Sequence, residues 1–193
     1  MNTCEPIRDR QKVKEMAAYY LRRGQIRNYA LFAMGVHTAL RVSDLLALRW
    51  KDVYDFTRQR ARESVTLTEG KTGKHKVVAL NKTAAEALEE LLGAARGPGG
   101  NGYVFESRRD SGRAISRVQA YRIIRDGASA VGLDGGISCH SLRKTFGYHS
   151  WRRGVSPAVI MDIYNHSSFR VTQRYLGITQ EDKNRAYRGL TLL

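Results

Sequence analysis

The sequence predicts a mixed α/β domain, mainly helical, with one small antiparallel β-hairpin sheet. Three observations carry that reading. Apolar residues recur at helical spacing in several separate stretches. One pair of runs, residues 64–68 and 75–80, alternates β-branched residues around a glycine-containing turn. And 193 residues with no internal repeat, low-complexity tract or composition break read as a single domain, 1–193, able to bury a substantial core.

The elements follow in order. Residues 9–23 set Val13, Met16, Ala17, Tyr20 and Leu21 at helical spacing and stop at Gly24, a residue suited to the position just past a helix end. Residues 28–36 form a second apolar helix. Ser43 is the expected N-cap of a third, carrying Leu45, Leu46 and Leu48. The hairpin comes next, its tip at residues 69–74. Thr83 and Glu86 have capping-box spacing and open a helix through Leu92. A glycine-rich loop spans residues 95–102, and residues 103–105 make a short buried strand or turn. Ser116 and Gln119 cap a helix to Ala130, with Arg117, Arg122 and Arg125 on a solvated face that phosphates could also meet. Ser156 and Pro157 open a helix to Tyr164, with proline at the first turn, where its missing N–H costs nothing. Thr179 and Asp182 start the last helix, to about Gly189.

Charge narrows the function classes. Thirty-three Lys and Arg against eighteen Asp and Glu give +15, which points to a polyanionic partner, because each phosphate neutralised releases counterions. A hydrophobic content of 42% excludes a disordered chain. Cys4, in a frayed terminus, and Cys139 are not expected to pair, so a reducing cytoplasm is the expected location. No apolar run approaches the roughly 20 residues that span a bilayer, and the polar start is not a secretory signal.

Residues 140–175 hold the chemistry. His140 and Arg143 stand at i, i+3, so both can reach one ligand atom from one helix face. Next comes Asn165-His166-Ser-Ser, where Asn165 tolerates a left-handed backbone, and then Thr-Gln-Arg-Tyr175. A guanidinium with imidazoles and no carboxylate suits an anion such as a phosphate. Tyr175 is the obvious nucleophile nearby; Tyr187 rivals it by residue type alone. Arg41, between Leu40 and Val42 at a turn, is poorly placed for a solvated residue, the bland alternative being an Arg41–Asp44 surface pair. His140 and His149, nine apart on one helix, face opposite ways, and no Cys/His cluster has metal-site spacing. No metal is expected.

In order along the chain stand Thr38-x-Leu40-Arg41-x-Ser43-Asp44, a lysine in a hairpin, His140-x-x-Arg143, His166-Ser-Ser and Tyr175. That ordered set resembles the catalytic domain of the tyrosine recombinases, the integrase family of site-specific DNA recombinases, from about Tyr19 to about Leu176. The resemblance implies that family's fold and its roles. Arg41 and Arg143 clamp the scissile phosphate of double-stranded DNA and His166 donates to it. His140 takes the Tyr175 proton, Tyr175 forms a 3′-phosphotyrosyl enzyme, and Lys71 protonates the leaving 5′-oxygen, with Lys74 the alternative acid. Lys74, Lys76 and Arg174 are expected on the DNA, Asp44 beside Arg41 or His140, and neither cofactor nor ATP takes part. It departs from the family at Ala39, often glycine there, and at Tyr164-Asn165, usually Leu-Gly.

The resemblance also implies a tetramer on DNA, a monomer or weak oligomer without it, accessory DNA-bending proteins, and a segment, 177–193, that docks on a neighbour. The family's N-terminal DNA-clamping domain is expected to be absent, as in a piece of a longer protein or a naturally short recombinase. Rival readings are a type IB topoisomerase, an inactive DNA-binding regulator of the same fold, and a metal-independent phosphodiesterase of small substrates, which poorly explains the charge.

Overall fold

Asp9 is extended and its carboxylate accepts the Gln11 amide, which starts α1 (Arg10–Arg22). Gly24 turns the chain at φ 62° into α2 (Ile26–Thr38), where every residue from Ala30 to Val36 is buried. A helix apolar on all sides belongs at the centre, and α2 is packed by α1, α3 (Val42–Ala47), α5 (Lys82–Ala94) and α7 (Cys139–Arg152). Gly35 permits a close approach of α7: a Cβ there would meet Leu142 Cδ1 at 2.4 Å. The computed structural model describes residues 4–190 other than 69–72, 74, 96, 98 and 134, and for Arg174 the backbone alone.

Two caps differ from the sequence reading. The Arg41 carbonyl already accepts the Asp44 and Leu45 amides, so α3 starts before Ser43, which falls within its first turn. Asn81 accepts the Ala84 amide and starts α5 ahead of Thr83, an asparagine being as good a cap as the threonine behind it. Ser116 caps α6 (Arg117–Ala130) as expected, and Ser156 caps α8 (Pro157–Ile163). Thr179 and Asp182 form a reciprocal box at α10 (Gln180–Gly189).

The strands are few. A short helix, α4 (Trp50–Val53), leads into β1 (Tyr54–Asp55) and β2 (Arg60–Ala61), a two-residue pair too short to leave an alternating pattern. The expected hairpin forms as β3 (Ser64–Thr68) and β4 (His75–Ala79), antiparallel in the register Ser64↔Ala79 to Thr68↔His75. Val65 and Val78 pair across it on the core face. The fold is thus mainly helical with small antiparallel β pairs. Among the described residues no helix is long and apolar enough to cross a membrane.

Cys4 is not frayed. Its thiol lies 2.9 Å from Ser141 Oγ and 3.3 Å from Ser138 Oγ, and the buried Ile7 donates its amide to Thr145 Oγ1 at 2.8 Å. Residues 4–8 therefore run as an arm across α7. The contacts are more than a hundred residues apart in sequence, so no local pattern announces them.

Candidate active site

Ser138 and Ser141 cap α7 reciprocally and set His140 and Arg143 one turn apart. Arg143 is 2% exposed, and its guanidinium donates to the Ala39 carbonyl and, at 2.8 Å, to the Tyr164 carbonyl. The same guanidinium lies 4.5 Å from the centre of the Tyr164 ring, whose hydroxyl donates back to the Arg143 carbonyl at 2.6 Å. Two backbone corners make this cradle. One ends α2 at Ala39 (φ 57°) and the other turns at Asn165 (φ 51°), both left-handed. Asn165→Val would put a β-branched side chain where that conformation is strained, at about 1–2 kcal/mol. Urea unfolding should register the loss, while Asn165→Gly should unfold no earlier than wild type.

Tyr175 sits in α9 (Phe169–Leu176), a helix stopped by Gly177 at φ 60°. Thr172 and Leu176 are buried beneath it, and Tyr175 is half-buried. Its ring packs against three others, with centroids 5.1 Å from His140, 5.0 Å from Tyr164 and 4.7 Å from His166. The phenolic oxygen lies 2.6 Å from His140 Nε2, the distance at which its O–H donates to a neutral imidazole. His166 is oriented by a 3.0 Å bond between Nδ1 and the Thr172 hydroxyl.

His140, His166 and Tyr175 line one cleft of about 410 Å³ together with Arg41, Arg143 and Arg117 of α6. Burial pushes the Tyr175 phenol up, against the pull of Arg143 and Arg41. His140 is held below the ordinary imidazole range, first by dehydration and then by the cations Lys144, Arg143 and Arg41. His140 as a whole residue still meets solvent. An arginine-lined cleft with an imidazole nitrogen 2.6 Å from a phenolic oxygen has the groups to bind an anion such as a phosphate diester.

Of the residues singled out in the sequence, Arg41, His140, Arg143, His166 and Tyr175 meet in this cleft. Asp44 is buried, its Oδ2 3.9 Å from Arg41 Nη1, so the Arg41–Asp44 pair and the place of Arg41 in the cleft coexist. Lys76 donates to the Ile163 carbonyl at 2.5 Å, next to the Tyr164–His166 turn. Lys71 and Lys74 lie outside the described residues, as does the side chain of Arg174. The sequence reading missed Tyr164 and Thr172, which orient Arg143 and His166. Tyr164 stood out only as a helix end and a departure from the family's leucine; Thr172 stands six residues from His166, a spacing with no meaning inside one helix.

The model of the phage integrase family matches residues 9–182. The probable integrase/recombinase YoeC of Bacillus subtilis is 38% identical over 188 residues, 97% of each chain. Tyrosine recombinase XerD of Mycobacterium leprae is 31% identical over 172 residues, 85% of this chain but 52% of XerD. The chain thus spans nearly all of one relative and about half of the other. Among solved structures, XerH bound to palindromic difH substrate in a post-cleavage complex superposes with a TM-score of 0.76 at 17% identity, over 93% of this chain and 51% of XerH. Family match, relatives and cleft agree: the chain belongs to the phage integrase family, the tyrosine-type site-specific DNA recombinases.

Proposed function

We propose that this chain cuts and rejoins double-stranded DNA through a 3′-phosphotyrosyl intermediate on Tyr175. One observation carries the reading: the Tyr175 hydroxyl rests 2.6 Å from His140 Nε2 in a cleft walled by Arg41, Arg143 and His166. His140 takes the phenolic proton as the Tyr175 oxygen attacks phosphorus. The two guanidiniums and His166 donate to the non-bridging oxygens as charge builds on them. The bond to the 5′-oxygen breaks, and Lys71 supplies its proton. A 5′-hydroxyl from a partner duplex then attacks the phosphotyrosine and reverses the step, so the energy of the diester stays in the covalent bond and no ATP is spent. Asp44 orients Arg41.

DNA as the partner is supported by the charge of +15 and by a surface groove next to the cleft that carries Arg49, Arg113 and Arg117. The structural neighbour XerH is bound to palindromic difH substrate in a post-cleavage complex. Lys74 and Arg174 are assigned to the DNA backbone, whereas Lys76 docks the hairpin against the end of α8. The chain acts as one domain, in the cytoplasm, and assembles as a tetramer on two DNA sites, aided by DNA-bending proteins. Segment 177–193 then docks on a neighbour; its α10 buries no residue of its own and keeps Tyr187 82% exposed. A type IB topoisomerase shares this chemistry, but the relatives are named recombinases and integrases.

The test is trapping on nicked duplexes drawn from the flanking DNA of the gene. Wild type should leave a covalent protein–DNA band on a denaturing gel, and Tyr175→Phe should leave none while binding DNA as before. A band that persists in Tyr175→Phe removes Tyr175 as the nucleophile.

A further inference from the structure

Lys144 has no part in the mechanism above, yet it stands one turn after His140 on α7 and reaches both members of the proton-transfer pair. Its ammonium lies 5.6 Å from the centre of the Tyr175 ring, within cation–π range. It is not loosely solvated, because Nζ donates to the Cys4 carbonyl at 2.5 Å. The arm that supplies this carbonyl is itself fixed at several points. Ile7 is buried, His149 Nε2 donates to its carbonyl at 3.0 Å, and the Glu5 amide reaches the Gly136 carbonyl at 3.4 Å. The arm also touches the end of the nucleophile helix: a Cβ on Gly177 would stand 3.2 Å from Arg8 Nη2.

We propose that Lys144 is a positioning residue of this active site, held by the N-terminal arm so that its charge sets the protonation state of the His140–Tyr175 pair. The proposal rests on the roles given above to that pair. A cation beside His140 disfavours the imidazolium, which would have no lone pair for the tyrosine proton, and a cation over the Tyr175 ring favours the phenolate. Other groups face His140 too. Arg143 and Cys139 come from α7 itself, Arg41 from the α2–α3 corner, Arg117 from α6, and His166 and Tyr175 from the α9 side. Arg41 and Arg143 act in the same direction as Lys144, but both also have the phosphate to bind. Lys144 differs in that its ammonium is held by the Cys4 carbonyl of the arm, with the Tyr175 ring centre 5.6 Å away.

The experiment titrates His140 and Tyr175 by carbon-13 NMR in the DNA-free full chain, comparing wild type, Lys144→Met and Lys144→Arg, with His140→Gln and Tyr175→Phe as assignment controls. In Lys144→Met both groups should titrate at higher pH than in wild type, and in Lys144→Arg both should return toward the wild-type values. The same variants then go onto the nicked duplex. Between mildly alkaline and mildly acid pH, adduct formation by Lys144→Met should fall about tenfold further than that of wild type, because its acid limb has moved up. Unchanged titrations in Lys144→Met, or a loss that lysine and arginine fail to separate from methionine, would overturn the proposal. Because the titrations need no DNA, they read Lys144 even where the trapping experiment fails and the assigned chemistry falls.

Discussion

Arg143→Ala should cost the fold about 3–5 kcal/mol and slow covalent adduct formation more than a thousandfold. The two losses share one origin. Arg143 is 2% exposed, and its guanidinium satisfies the carbonyls of Ala39 and Tyr164, which come from two different backbone corners. Alanine leaves both acceptors buried without that donor, at about 1–3 kcal/mol each, and opens a cavity against the Tyr164 ring. Arg143→Lys separates fold from chemistry. A lysine restores the charge and one of the two bonds, so stability should fall by about 2 kcal/mol. It cannot hold both corners and also present a planar fork to phosphate oxygens, so cleavage should still drop about a hundredfold or more. Urea unfolding reads the first quantity and single-turnover trapping on a nicked duplex the second. A lysine variant that cleaves within a fewfold of wild type would mean that Arg143 is a structural strut and the phosphate is held elsewhere.

The division of labour around Arg143 also explains what the sequence could and could not reveal. His140 and Arg143 were legible because a helix turns spacing into proximity, and Asn165 because a left-handed corner favours few residue types. The β3–β4 hairpin was legible because its alternation is long enough to have a period. The partners of Arg143 were not, since Ala39 offers only a backbone carbonyl, 104 residues away. The same holds for the arm over α7, which pairs across 134 residues or more. The misplaced caps at Ser43 and Thr83 have a different cause. At α3 the helix starts at Arg41 with no side-chain cap at all, and at α5 Asn81, two residues ahead of Thr83, takes the Ala84 amide. At Arg41 the pair with Asp44 forms, buried and not on the surface, and Arg41 still lines the cleft, because an arginine has donors enough for both.

His140→Gln should slow cleavage at neutral pH by about a hundred- to ten-thousandfold and, more tellingly, change the shape of the pH profile. On the proposed mechanism His140 must be unprotonated to accept the Tyr175 proton. Dehydration, followed by Lys144, Arg143 and Arg41, holds His140 below the ordinary imidazole value of about 6.5. A depressed value moves the acid limb down, so the wild-type rate should be flat through neutrality and fall only as the pH drops below that value. Tyr175 behaves in the opposite sense. Burial raises its phenol above the ordinary value of about 10 despite the two arginines, so fewer than about one molecule in a thousand carries a phenolate at neutral pH. Without His140 that phenolate must come from hydroxide, and the rate should climb about tenfold for each pH unit until the phenol itself titrates. The gap between variant and wild type therefore narrows steadily toward alkaline pH. Single-turnover trapping across the range decides the matter: a variant profile that stays flat and parallel to wild type would take the base role away from His140, and a profile that climbs would fix the proton acceptor at the nitrogen 2.6 Å from the tyrosine.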